Sequence, residues 1–261
     1  MCHPEPVMGG AGEDVRAVEQ ITITTGSELM PAYVSRPDGN DPVPAILIIS
    51  DVFGASPFYQ EMAGRLAHEG YFALLPNLFH RVGELSEPSI EAAMGRAGKL
   101  THESTLADIA AAVDYLQDRR DVQPKQVGTI GFCLGGAYAI LIAERSEAIG
   151  ASCVFYGFPV NTRQSANQPL SPIDEVEKIS APLAGFWGDA DAGVGIQNVR
   201  RFEEELQRYN KDYEIVIYPG AGHGFMARRT QADVPAAEDA WPKALQFFDK
   251  NLRTGASGGA Y

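Results

Sequence analysis

Cysteine is scarce in this chain: Cys2, Cys133 and Cys153 are the only three in 261 residues. So few, and an odd number, argue against a disulfide framework and fit a reducing, cytoplasmic setting. Long apolar runs are missing, and none approaches the roughly 20 residues needed to span a bilayer. The opening Met1-Cys2-His3-Pro4-Glu5-Pro6 has no basic start followed by an apolar stretch, so no secretory signal is expected. Positive charge is in deficit, with 21 Lys and Arg against 34 Asp and Glu and a net charge of −13. That balance excludes nucleic acid as an expected partner, because phosphate binding needs a basic face. It also disfavours anionic membrane surfaces. An anionic small substrate would need local arginines working against the overall field.

The rest of the composition is that of an ordinary globular protein, 45% hydrophobic and 21% charged. A single α/β domain of this length buries a full core without metals or disulfides. Residues 1–16 are Gly- and charge-rich without periodicity and read as a flexible arm. Residues 20–24 and 30–34 alternate as a hairpin around Gly26-Ser27. Residues 45–49 and 71–75 are continuous apolar runs, the signature of strands buried on both faces of a parallel sheet. Helices are expected over 57–69 and over two stretches within 88–119, the second over 104–119 with Ser104 as its cap. Strands follow at 127–130, 151–156, 183–187 and 213–218, and helices at 196–209 and 236–252. The Pro-, Asn-, Gln- and Ser-rich residues 157–181 read as a loop or lid, and 254–261 as a flexible tail. Strands and helices alternate after the hairpin. The expectation is therefore one α/β domain over 17–253, with a mostly parallel sheet of about eight strands covered by helices on both faces.

Function in such a sheet sits outside the carboxyl ends of its strands. After residues 127–130 comes Gly131-Phe132-Cys133-Leu134-Gly135, a Gly-x-Cys-x-Gly run between a strand and a small-residue helix. That is the context of a nucleophile elbow, with sulfur in place of the usual oxygen. Asp189 and Asp191 follow the strand at 183–187, and His223 follows the strand at 213–218 between two glycines. Nucleophile, acid and base thus fall in the chain order of α/β-hydrolase triads. A free thiol is only a few per cent thiolate at neutral pH, so Cys133 needs a base. His223 supplies one, and Asp191 would orient it, spacing from Gly188 favouring Asp191 over Asp189. Two backbone N–H groups, those of Leu134 and Val52, are the expected oxyanion hole.

Together these features resemble the dienelactone hydrolase (carboxymethylenebutenolidase) family. The resemblance rests on the Gly-x-Cys-x-Gly-Gly elbow, Asp51-Val52-Phe53-Gly54, the Gly-x-x-Asp-x-x-Val run of 188–194, and Ala221-Gly222-His223-Gly224-Phe225. It extends over about residues 18–252. It implies an α/β-hydrolase fold and a Cys133–His223–Asp191 triad acting on lactones or activated esters through an acyl-thioenzyme, with no cofactor and no metal. The chain departs from the family at two places. Asp51 stands where members usually carry a Glu that contacts the nucleophile, so Asp51 is a candidate catalytic residue. The position four after the histidine, an arginine in well-known members, is Ala227, with Arg228 and Arg229 just beyond. Arg96, Arg81 and Arg228 are the candidate substrate-binding arginines. Phe53, Trp187 and Phe225, near strand ends, are candidate pocket walls, as are Tyr59, Tyr156 and Phe158.

Plainer readings compete. Cys153 lies mid-strand and reads as core. His68, His80 and His102 read as surface residues, with His80 the one placed to border a pocket. Asp51 could be a turn residue. Cys2 and His3 make a poor metal site. The functional alternatives are a broad carboxylesterase or thioesterase on the same fold, a glutamine amidotransferase-like enzyme, and a non-catalytic small-molecule binder. A monomer or homodimer is expected, with a small ester or lactone as its partner.

Overall fold

The computed structural model describes residues 15–39 and 41–253. Most of the expected arm, the tail, Cys2 and His3 lie outside the described residues. Val15 and Arg16 already belong to the body: the Arg16 N–H donates to the Gly64 carbonyl at 3.2 Å.

The chain begins with an antiparallel pair, β1 (Glu19–Thr25) and β2 (Glu28–Ser35). Then come β3 (Val43–Ile49), helix α1 (Pro57–His68), β4 (Phe72–Pro76), α2 (Ile90–Ala97) and α3 (His102–Gln117). The second half runs β5 (Val122–Phe132), α4 (Leu134–Ala143), β6 (Ile149–Phe155), β7 (Leu183–Gly188), α5 (Ile196–Arg208), β8 (Tyr213–Tyr218) and α6 (Asp233–Phe248). All eight strands form one sheet in the order β1-β2-β4-β3-β5-β6-β7-β8. Pairing is antiparallel through β1, β2 and β4, and parallel from β4 to β8. The sheet is mostly parallel, as the alternation of elements implied, and is the α/β-hydrolase sheet that the resemblance implied.

The order carries a functional consequence. From β3 the chain steps to β4 on one side, then returns past β3 to β5 and proceeds outward to β8. The reversal lies between β3 and β5, where Ile49, the last residue of β3, sits in register with Gly131 near the end of β5. Ligands bind outside the strand ends at such a reversal. The loop starting at Ser50 and the loop holding Cys133 are therefore neighbours.

Helix α4 is apolar on every side because it is buried on every side, packing on β3, β5 and β6 and on α3. The far face of the sheet is covered at its centre by α6 and the turn that follows it. A Cβ at Gly128 would come within 2.9 Å of Phe248 and Leu252 side chains. Beneath the strand ends, Phe132, Phe155 and Phe186 run across three adjacent strands with ring centroids 4.9 and 4.8 Å apart.

Several boundaries differ from expectation, and three of them have a clear local reason. β5 starts at Val122, five residues early, running through Pro124 with register shifts against both neighbours. α3 is capped by Thr101 rather than Ser104: the Thr101 Oγ1 accepts the Ser104 N–H at 3.1 Å. α6 starts at Asp233, whose buried carboxylate accepts the N–H groups of Gly222, Arg229 and Thr230. No helix among the described residues is long and apolar enough to cross a membrane.

Candidate active site

Cys133 sits at the junction of β5 and α4 with φ +55° and ψ −115°, and its residue is buried. A non-glycine residue in that region is strained and persists only where its surroundings over-determine it. The surroundings are visible here. A Cβ on Gly131 would lie 2.3 Å from the Gly135 carbonyl oxygen, and one on Gly135 would lie 2.0 Å from that of Ile49. Both glycines of the elbow are therefore required by close backbone approach. Farther along, Gly136 meets Gly157 across a gap that a Cβ would close to 2.6 Å. The Cys133 N–H donates to the Phe155 carbonyl at 3.0 Å, which ties the elbow to β6.

The loop after β8 brings His223 to the same edge of the sheet. Its Nδ1 lies 2.7 Å from Asp191 Oδ2. Asp191 is buried, and its other oxygen accepts the N–H groups of Gly193 and Val194 at 2.9 and 3.0 Å. A carboxylate held this way fixes the ring's tautomer, with the proton on Nδ1 and the lone pair on Nε2. Asp189, by contrast, is exposed and accepts the Gly220 N–H at 2.6 Å, serving the turn. Tyr156 and Phe158 flank the imidazole, with centroid separations of 5.3 and 5.5 Å. Tyr156 itself has φ +40°, a second strained residue beside the first.

Asp51, Val52 and Phe53 form the loop after β3. Asp51 is wholly buried; its Oδ1 accepts the Phe53 N–H at 2.8 Å and its carbonyl accepts the Gly54 N–H at 3.0 Å. The Val52 and Leu134 N–H groups have no acceptor among the described residues. Leu134 opens α4, where amides point out of the helix and carry its positive end.

A cavity of about 250 Å³ opens beside this loop, lined by Tyr33, Phe53, Asn77, Glu84, Leu85 and Arg96 among others. Neither Cys133 nor His223 lines it. Arg96 is the cavity's cation. Burial pulls its pKa below the usual value, opposed by the nearby carboxylates of Glu84 and Asp51.

The six residues expected to touch substrate divide. Phe53 and Arg96 line the cavity. Trp187 is fully buried and donates its indole N–H to the Gly157 carbonyl at 2.8 Å, so it is core. Phe225 is fully buried too, packed on Phe155, Tyr156 and Tyr218 beneath the His223 loop. Arg81 is engaged elsewhere, pairing with Asp108 and, at 3.0 Å, with Glu28. Arg228 faces Glu238 at 3.7 Å. Of the wall candidates, Tyr59 is also fully buried. His80 and His102, expected at the surface, are drawn inward. The His80 Nε2 lies 3.1 Å from Asp108, and the His102 Nδ1 accepts the Leu170 N–H at 3.0 Å. Glu84, Asn77 and Tyr33 carry no motif; only the tertiary fold brings them to the cavity.

The match to a family model extends over residues 30–252, and the model is that of the dienelactone hydrolase family. The chain belongs to this family. Members are hydrolases acting on lactones and esters, and this protein is one of those hydrolases. It is 30% identical over 246 residues to a carboxymethylenebutenolidase of Rhodococcus opacus, covering 87% of this chain and 95% of that one. It is 33% identical over 237 residues to a Bradyrhizobium protein named as a probable 2-oxo-3-(5-oxofuran-2-ylidene)propanoate lactonase, covering 90% and 95%. A crystal structure from Klebsiella pneumoniae, provisionally assigned as a dienelactone hydrolase, superposes with a TM-score of 0.84 at 28% identity, covering 90% of this chain and 98% of that one.

Proposed function

We propose that the protein hydrolyses lactones or activated carboxylic esters by covalent catalysis at Cys133, without a cofactor. The observation that carries the reading is the His223–Asp191 pair, 2.7 Å between Nδ1 and Oδ2, at the same sheet edge as a cysteine held at φ +55°. In the first half-reaction His223 takes the thiol proton and the Cys133 sulfur attacks the carbonyl carbon. The carbonyl oxygen becomes an oxyanion, met by the Leu134 and Val52 N–H groups. As the C–O bond breaks, the leaving alkoxide takes the proton from the imidazolium and an acyl-thioenzyme remains. Water then attacks the thioester, giving its proton to His223, and the thiolate departs and is reprotonated. A lactone gives one ring-opened hydroxy acid; an ester gives an acid and an alcohol.

The carboxylesterase or thioesterase alternative shares this chemistry and differs in the substrate. It gains support from the ion pairs at Arg81 and Arg228, which take two of the three candidate arginines out of substrate binding. The amidotransferase reading has less support, since the carboxylate serving His223 is upstream at Asp191.

The test is turnover of a chromogenic aryl ester and of cis- and trans-dienelactone, with and without iodoacetamide. Cys133→Ala is expected to abolish all three activities, and alkylation of Cys133 to do the same. Robust turnover by Cys133→Ala overturns the mechanism, and glutaminase activity would replace it. The cytoplasm is the setting in which this thiol stays reduced.

A further inference from the structure

The Val52–Phe53 peptide unit is held at both ends. Its carbonyl, that of Val52, accepts a hydrogen bond from Arg96 Nη2 at 3.1 Å. Its N–H, that of Phe53, donates to Asp51 Oδ1 at 2.8 Å. Carbonyl and amide of a trans peptide point in opposite directions, so a guanidinium and a carboxylate grip one rigid plane from its two sides. Both bonds have a charged partner and both residues are buried, which makes them stronger than neutral ones.

Arg96 is itself fixed. Its guanidinium carbon lies 4.1 Å above the Phe79 ring, and Nη1 reaches the Gly83 carbonyl at 3.5 Å. The residue after Phe53 is Gly54, at φ +76°, where a Cβ would lie 3.2 Å from the Phe79 ring and 3.3 Å from Nη2. Helix α2, the loop after β4 and the loop after β3 thus meet at one cation.

We propose that Arg96 is a positioning residue for the oxyanion hole and not a ligand for a substrate carboxylate. The Val52 N–H lies in the adjacent Asp51–Val52 plane, whose Asp51 carbonyl accepts the Gly54 N–H at 3.0 Å, so with both planes held about the Val52 Cα the clamp at Arg96 helps set the direction of that N–H. That N–H is the donor expected to meet the developing oxyanion. The inference rests on the hydrolase reading above. It deepens that reading by assigning the one candidate arginine in the cavity to the machinery of every substrate, charged or neutral.

The experiment is steady-state kinetics of Arg96→Met and Arg96→Lys on a neutral aryl acetate and on a carboxylate-bearing dienelactone, with active sites counted from the acyl burst. Misplacing or losing one oxyanion donor costs about 100-fold in kcat. Arg96→Met is expected to lose about that factor on both substrates per active site, with KM within about threefold and Cys133 alkylated by iodoacetamide at the parent rate. Arg96→Lys should recover part of the loss, since an ammonium can still donate to the Val52 carbonyl. A rise in KM confined to the carboxylate-bearing lactone overturns the proposal and makes Arg96 a substrate ligand. A kcat within about threefold of the parent on both substrates overturns it as well. If Arg96→Met fails to fold, Phe79→Leu carries the same test: lowered kcat at constant KM supports the clamp, and unchanged kcat overturns it. Parent-level turnover by Cys133→Ala would instead sink the thiol mechanism proposed above, which keeps the two failures apart.

Discussion

Gly135 admits no side chain, because the Ile49 carbonyl oxygen already occupies the place where a Cβ would go. Overpacking against backbone has no flexible atom to yield. Gly135→Ala is expected to destabilise the fold by about 3 kcal/mol or more and to abolish activity, read by urea unfolding and ester turnover. Parent-like stability would show that the elbow has slack. Asp191→Asn keeps the shape but inverts the hydrogen-bonding logic at His223, presenting an amide where Nδ1–H needs an acceptor. A loss of about 10²–10⁴ in kcat is expected, with little change in melting temperature; a loss below tenfold would remove Asp191 from the triad. Away from the site, burial pushes the Glu144 carboxyl up to about 8 from 4.5, although Arg145 Nη1 is 2.6 Å away. The folded state therefore holds this proton to higher pH than the unfolded chain does. Stability from this group is intact below pH 4.5 and is lost as pH rises through about 8. Glu144→Gln removes that loss, so the variant should gain about 1–3 kcal/mol over the parent above pH 8 and gain nothing near pH 4.5. Equal stability of the two proteins at both pH values would contradict it.

Among the elements, residues 157–181 show where sequence pattern stops informing. Their polar, Pro-rich composition reads as a lid, yet they contain a 3-10 helix (Pro172–Lys178) and are fastened to the end of α2 and the start of α3. Gln168 Nε2 donates to the Ala97 and Leu100 carbonyls, the His102 N–H donates to the Asn167 carbonyl, and the His102 ring accepts from Leu170. Burial, seconded by Arg145, lowers the His102 pKa, so its neutral ring is the acceptor. A base with a depressed folded pKa gives up stability as pH falls below its ordinary value of about 6.5. Exchange protection of the Leu170 amide should therefore drop between about pH 7.5 and pH 5.5, after correction for intrinsic rates, and His102→Phe should lose that dependence. A flat profile in the parent would show that another bond holds the segment. Elements defined by local chemistry were legible: β8 runs over the predicted 213–218, and α5 begins at the predicted 196. Cys133, Asp191 and His223 were legible for the same reason, since each follows a strand within glycine-rich punctuation. Arg81, Arg228 and Trp187 were not, because their partners Asp108, Glu28, Glu238 and Gly157 come together only through packing. The start of β5 was hidden by Pro124, which argues against a strand interior and here sits beside irregular register.

For the whole molecule the dominant long-range quantity is the charge of −13. An anionic lactone approaches against that field, while a neutral ester does not feel it. Raising ionic strength from about 10 mM to about 300 mM shortens the screening length several-fold, so kcat/KM for a carboxylate-bearing lactone should rise while that for an aryl acetate stays level. A fall for the anionic substrate would reveal a locally positive entry. The approach of Gly135 to Ile49 bears on how the enzyme comes into being. The elbow's backbone geometry is imposed by a strand far upstream, through a parallel pairing that is among the slower contacts for a chain to make. Until β3 and β5 lie side by side, the approach of Gly135 to Ile49 that shapes the elbow is absent. Under the proposed mechanism, catalytic competence is thus a timestamp of assembly, issued only when the centre of the sheet has closed.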